Sequence, residues 1–188
     1  MKRRYSAGIV TLLTVCAVAV GIAQPAQADV DGFAVGDSVM LGARWALQHR
    51  GFEVDAEKSR QAGAGPSVLR KQGAGLQSAV VVHLGTNGVF PSETCDRLVA
   101  QAGPTRMLFL LTVKVPRSWE RSNNRTIREC ATRFDNVRIV EWNLEATNHP
   151  EWLYDDGIHL RPEGAKAFAR LITQAVRQAQ ASGVGSPQ

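Results

Sequence analysis

The sequence predicts an α/β fold: a three-layer α/β/α sandwich around a roughly five-stranded parallel sheet. Three observations predict it. Short apolar, β-rich runs alternate with helical patterns along the chain. The middle runs are continuously apolar, as in strands buried on both faces. No internal repeat and no interdomain linker interrupts the alternation.

The elements follow in order. Gly32 to Val35 is a short strand that ends in Gly36-Asp37-Ser38. Val39 to Arg50 reads as a helix stopped by Gly51. Phe52 to Ala56 is a second strand, followed by a Gly-rich loop and a helix starting near Pro66, a residue suited to a first helical turn. Ala79 to Leu84 is a buried strand broken by Gly85-Thr86-Asn87-Gly88. Pro91 to Ala102 reads as helix, Arg106 to Val113 as strand, Ser122 to Phe134 as a polar helix and Val137 to Trp142 as the last strand. After a long loop, Arg161-Pro162-Glu163 opens a final helix to about Ala181. In such a sheet the ligand site lies at the carboxyl ends of the strands.

The N-terminus reads as a targeting segment. Lys2, Arg3 and Arg4 precede an apolar run from Ile9 to Ile22, and Ala26-Gln27-Ala28 has the small-x-small form of a cleavage site. The run is short for a bilayer-spanning helix. The expectation is a secretory signal over residues 1–28, a secreted or extracytoplasmic domain over 29–181 and a disordered tail over 182–188; the alternative is an uncleaved anchor. The leader carries three positive charges and no acidic residue, so the net charge of +5 falls to +2 without it. With no Lys/Arg cluster interleaved with aromatics, nucleic acid is not an expected partner. Cys95 and Cys130 remain, and in an exported chain an isolated pair is usually bonded. No Cys/His spacing points to a metal, and no cofactor is expected.

Three short motifs carry the chemistry. A Ser where the first strand turns into the first helix projects its hydroxyl over the carboxyl edge, with its N–H at a helix N-terminus that favours developing negative charge. Asp-Ser is also an ordinary N-cap pair. Asn87 follows the third strand, whose end lies beside that of the first, so its amide can face an oxyanion near Ser38; Asn-Gly is also a common turn. In Asp156-Gly157-Ile158-His159 a carboxylate three residues before an imidazole can accept its N–H, leaving the other ring nitrogen as a general base. Each piece alone has a bland reading. Together, at strand carboxyl ends, they point to a serine nucleophile with a His-Asp pair.

Gly-Asp-Ser, Gly-Thr-Asn and Asp-x-x-His, in this order, resemble the SGNH (GDSL-like) hydrolase superfamily over nearly the whole mature chain. Gly36 to Met40, Val82 to Gly88, Val115-Pro116-Arg117 and Asp156 to Leu160 look most like the extracytoplasmic SGNH domain of peptidoglycan O-acetyltransferases. The resemblance implies a flavodoxin-like sheet, with Ser38 as nucleophile, His159 as base and Asp156 as its orienting partner. It implies an oxyanion hole from the Ser38 N–H, the Asn87 amide and a third N–H in the loop after the second strand. Those relatives carry Gly before Arg-Gln, whereas here Ser59 precedes Arg60-Gln61. Ser59 serves if its φ is ordinary, and Gly63 is the fallback.

The expected chemistry is two-step acyl transfer through an acyl-enzyme, on a short acyl ester (acetyl by resemblance) of a cell-envelope carbohydrate. Water as acceptor makes the chain an esterase; a glycan hydroxyl makes it an O-acetyltransferase. Relatives of this kind are usually fused to a membrane acyltransferase, so a separate membrane acyl-donor protein is a candidate partner of an otherwise monomeric chain. A non-catalytic glycan-binding module on the same fold is the reading of another class. Arg60 and Arg117 are candidates for substrate binding. Trp119, Trp142 and Trp152 are read first as core, and His83 as a hydrogen-bonded buried histidine.

Overall fold

The computed structural model describes residues 30–183; the expected leader and most of the expected tail lie outside the described residues. Five strands, β1 (Gly32–Gly36), β2 (Phe52–Ala56), β3 (Ala79–His83), β4 (Met107–Leu111) and β5 (Val137–Val140), form one sheet in the order β2-β1-β3-β4-β5. Every pairing is parallel, with Gly36 opposite Ala56 on one side and His83 on the other. The order reverses at β1, so the ends of β1 and β3 border the crevice where such sheets bind ligands.

The helices are α1 (Ser38–Gly42), α2 (Arg44–Gln48), α3 (Gly65–Gln72), α4 (Ser92–Ala102), α5 (Glu120–Arg133), α6 (Trp142–Asn148) and α7 (Pro162–Ala181). Successive strand residues point to opposite faces, so each strand feeds two cores. Phe33, Val35, Val80, Val82, Leu108 and Leu110 pack with Leu69, Leu98 and Ile127 of α3, α4 and α5. Ala34, Val81, Phe109 and Leu111 pack with Met40, Leu47, Phe168, Ile172 and Val176 of α1, α2 and α7. Cys95 and Cys130 are bonded, joining α4 to α5 with their Cα atoms 6.1 Å apart.

Two expectations are corrected. The helix expected over Val39 to Arg50 is two short helices. Ala43 sits at φ −96°, ψ 1° and its N–H bonds the Met40 carbonyl three residues back, a tight turn next to Gly42, a poor helix former. The loop expected after the last strand contains α6 and a 3-10 turn over Pro150–Trp152. Glu141, at φ −81°, ψ 59°, ends the extended run before Trp142. Trp142 is a helical residue buried with Ala146 one turn later. Seven residues give two buried positions, too few for a period to show.

Candidate active site

Ser38 is the first residue of α1, directly beyond the carboxyl end of β1. Asp37 caps the helix, its Oδ1 accepting the Val39 N–H at 3.0 Å. The same oxygen lies 3.3 Å from His83 Nδ1, and both side chains are fully buried. The Asp37 N–H also donates to the His83 carbonyl. Burial pushes the Asp37 carboxyl up, but the His83 ring and the Val39 N–H outweigh it and hold it below the usual carboxylate value. The nucleophile candidate therefore stands on a ligated turn between β1 and β3.

His159 reaches Ser38 from a local hairpin. Leu153 and Leu160 form an antiparallel bridge, and Tyr154 N–H donates to the His159 carbonyl at 2.8 Å. Gly157, at φ +68°, makes the turn at its tip, a conformation that costs a side-chain-bearing residue energy. Arg161 braces the base of the hairpin, its Nε donating to the Leu153 carbonyl at 2.7 Å. Within the turn, Asp156 Oδ1 accepts the N–H groups of Ile158 and His159 at 2.8 and 3.0 Å. Asp156 Oδ2 lies 2.7 Å from His159 Nδ1, and His159 Nε2 lies 3.0 Å from Ser38 Oγ. Burial pushes the Asp156 carboxyl up, and the His159 ring together with the two N–H groups more than offsets this, leaving it below its ordinary value.

A cavity of about 710 Å³ opens beside Ser38 and His159, and its walls include Lys58, Ser59, Thr86, Asn87, Arg117 and Trp119. Asn87 Nδ2 donates to the Arg60 carbonyl at 3.4 Å, which orients the NH₂ end of the amide and leaves its second hydrogen for a ligand. Ser59 is a cavity residue, but its φ of +59° is the left-handed region, so the condition of an ordinary φ is not met. Gly63 lies in a 3-10 turn and is not among the residues lining this cavity. Arg60 is corrected as a substrate-binding candidate. Its side chain is 8% exposed and bonds Asp55, Glu57 and the Gly36 carbonyl, so it clamps the loop after β2 to β1 instead of lining the cavity. Trp142 is buried, and Trp152 stacks on His149 at 3.9 Å.

Sequence reading missed the supports of this site. Asn123, buried on α5, donates through Nδ2 to the carbonyls of Gly85 and Gly88 at 2.9 and 2.7 Å, and accepts the Phe90 N–H. Gly85 has φ +114°, and a Cβ there would come within 3.2 Å of this amide. Asn124 makes a reciprocal pair with the N–H and carbonyl of Val113. Two adjacent asparagines inside a helix are poor helix formers, and that was the available signal. Lys58 was missed as well, since a lone lysine in a loop reads as solvated.

No family model matches the chain. It is 34% identical over 158 residues to YrhL of Bacillus subtilis, which carries a provisional peptidoglycan O-acetyltransferase assignment; the match covers 82% of this chain and 25% of that protein. It is 33% identical over 147 residues to O-acetyltransferase OatA of Staphylococcus aureus, covering 76% of this chain and 24% of the relative. The chain thus spans about a quarter of the length of the curated relatives it matches. Its fold superposes on the C-terminal catalytic domain of Streptococcus pneumoniae peptidoglycan O-acetyltransferase A, solved with a methylsulfonyl adduct, with TM-score 0.72 and 25% identity over 82% of this chain and 97% of that one. A carbohydrate esterase family 3 protein of Talaromyces cellulolyticus, 16% identical at TM-score 0.59 over 79% of this chain and 97% of that one, shares the fold.

Proposed function

We propose that this chain, which has the SGNH (GDSL-like) hydrolase fold and peptidoglycan O-acetyltransferases among its homologues, is an exported serine acyl-transfer enzyme acting on short acyl esters of a cell-envelope carbohydrate. One observation carries the reading: an unbroken relay from Ser38 Oγ through both nitrogens of His159 to Asp156, at the mouth of a cavity on the carboxyl edge of the sheet.

His159 Nε2 takes the hydroxyl proton as Ser38 Oγ attacks the ester carbonyl. The oxyanion is met by the Ser38 N–H at the start of α1 and by the free hydrogen of the Asn87 amide. As the tetrahedral intermediate collapses, the C–O bond to the donor breaks and His159 returns the proton to the leaving oxygen. An acceptor hydroxyl then gives its proton to Nε2 as it bonds to the acyl carbon, and Nε2 returns that proton to Ser38 Oγ as the acyl–Oγ bond breaks. Asp156, held by two backbone N–H groups, keeps a proton on Nδ1 and stabilises the imidazolium in both halves. The O-acetyltransferase homologues favour acetyl as the acyl group and a glycan hydroxyl as the acceptor, with hydrolysis as the default when water takes its place. The chain acts as a monomer outside the cytoplasm after cleavage near Ala28, with a separate membrane protein as the source of acyl groups. Among the described residues, no helix is long and apolar enough to cross a membrane.

The test is direct. Protein quenched during turnover of 4-nitrophenyl acetate should carry one acetyl group on Ser38 by mass spectrometry, and Ser38→Ala should carry none. Oligosaccharide acceptors should divert product from free acetate to acetylated sugar. An adduct on another residue, or equal turnover by Ser38→Ala, would reject the mechanism.

A further inference from the structure

His83 is a buried titratable group that the acyl-transfer steps do not use. It is the last residue of β3 and stands opposite Gly36 in the final rung of the β1–β3 ladder. Beyond that rung the two chains part, one into Ser38 and the other into the loop that carries Asn87. The other residues of β3, Ala79 to Val82, are all apolar and buried. The His83 ring is fully buried as well, and its Nε2 has no hydrogen-bond partner among the described residues. Burying a polar atom without a partner costs stability, so the fold alone favours an apolar residue at this position.

The elements that carry the reacting groups meet at this ring. Its Nδ1 lies 3.3 Å from Asp37 Oδ1, and since an ionised carboxylate can only accept, Nδ1 carries the hydrogen. The same oxygen accepts the Val39 N–H at 3.0 Å, so one atom joins the ring to the first turn of α1, which begins with Ser38. The main chain adds a second link, from the Asp37 N–H to the His83 carbonyl at 3.3 Å. The ring also meets Phe168 edge-to-face at 5.3 Å. Phe168 belongs to α7, the helix that follows the His159 hairpin. The cap on α1 needs only an acceptor, and Asp37 supplies one without His83. What the ring adds is a fixed place for that carboxylate.

Resting on the proposed acyl-transfer reading, we infer that His83 is a positioning residue for the oxyanion donors. Its Nδ1–H fixes the Asp37 carboxylate, and through it the start of α1, at the separation from the Asn87 loop that lets the Ser38 N–H and the Asn87 amide converge on one oxygen. Oxyanion donors act only at hydrogen-bond distance, and a misplacement of about 1 Å can cost about 10²-fold in rate. The two donors follow the two strand ends that His83 and Asp37 join. His83 is not among the residues lining the cavity, so it acts through Asp37 and not on the substrate.

Two amide substitutions separate this role from a need for any buried polar group. His83→Asn places its amide nitrogen where Nδ1 stands, whereas His83→Gln carries it on to the place of Nε2. Turnover of 4-nitrophenyl acetate is measured beside inhibition by methylboronic acid, whose tetrahedral adduct on Ser38 presents an oxygen to the same donors. His83→Asn should keep kcat within about threefold of wild type. His83→Gln should lose about 10- to 100-fold in kcat with KM nearly unchanged, and boronate affinity should fall by a similar factor. In an Asn87→Ala background the same substitution should cost less than about threefold, because no second donor is left to align. Equal kcat in the two variants overturns the inference, as does a loss of the same size with and without Asn87. If His83→Gln does not fold, His83→Leu, which fills the space without a donor, takes its place with the same expectations and the same rejecting outcomes. Failure of the acyl-transfer reading is distinct from these, since it shows in the wild type as the absence of an acetyl adduct on Ser38.

Discussion

Asp156 divides its two oxygens between two tasks, and this sets what each substitution at the relay should do. Oδ1 holds the turn through two N–H groups, while Oδ2 orients the ring. Asp156→Asn preserves the turn but places an amide hydrogen against His159 Nδ1, favouring the tautomer that cannot accept the Ser38 proton. We expect kcat to fall by about 10⁴ with an unchanged melting temperature. Ser38→Ala and His159→Ala should fall further, and combined substitutions should not add, because the three act as a unit. Steady-state kinetics on a small acetyl ester checks the order; wild-type-like activity in His159→Ala would reject it. Asn87→Ala should lower kcat by about 10²–10³ through loss of one oxyanion donor. Asp37 gives a pH test of stability. Its folded pKa is depressed, so its contribution is present above the ordinary carboxylate value of about 4 and is lost as pH falls through the folded value. Asp37→Asn keeps the helix cap but cannot titrate. Calorimetric melting temperatures should therefore drop more steeply below about pH 4 in the wild type than in the variant, and parallel slopes would remove Asp37 from the account.

At the level of elements, the site depends on contacts between helices and loops far apart in sequence. Helix α5 is the clearest case. Its inner edge supplies Asn123 to the Asn87 loop and Asn124 to the strand end at Val113, while Cys130 ties it to α4. Asn123→Ala would leave the Gly85 and Gly88 carbonyls without donors and should cost about 1–3 kcal/mol in urea unfolding. It should also lower kcat, since the donor loop is no longer held. The disulfide closes a 35-residue loop, worth about 3–4 kcal/mol in the chain-entropy model, so unfolding with and without reductant should differ by roughly that amount. These supports explain what the sequence displayed and what it did not. The β3 and β4 strands were readable because buried parallel strands are continuous apolar runs, while β2, an edge strand that carries Glu53 and Asp55, stood out by its place between Gly51 and the Gly-rich loop. That Ser38, Asn87, His159 and Asp156 gather at one edge of the sheet was readable because each sits in a short motif at a strand or helix boundary. The asparagine braces and the inward turn of Arg60 were not readable, because each is defined by a partner elsewhere in the chain. The α1/α2 break and α6 were hidden because their length is below that at which a helical period stands out.

The molecule as a whole is one sheet with two cores that share its strands, and this governs how it must unfold. Phe33 and Val35 face the α3, α4 and α5 side, while Ala34 between them faces α1, α2 and α7. Neither core can lose its strands without dismantling the other. The four tryptophans report on both layers: Trp142 is buried against Phe168 of α7, Trp119 packs beside the α5 core, and Trp45 and Trp152 sit nearer solvent. Unfolding should therefore be a single cooperative transition. Tryptophan fluorescence and far-ultraviolet circular dichroism should give coincident urea curves with the same midpoint. Reduction of the Cys95–Cys130 bond acts on one layer only, yet it should move both curves together to lower urea. If the α4/α5 layer instead melted first, the reduced protein would lose ellipticity before the Trp142 signal changed. The two probes would separate, and the shared-strand account of its stability would be wrong.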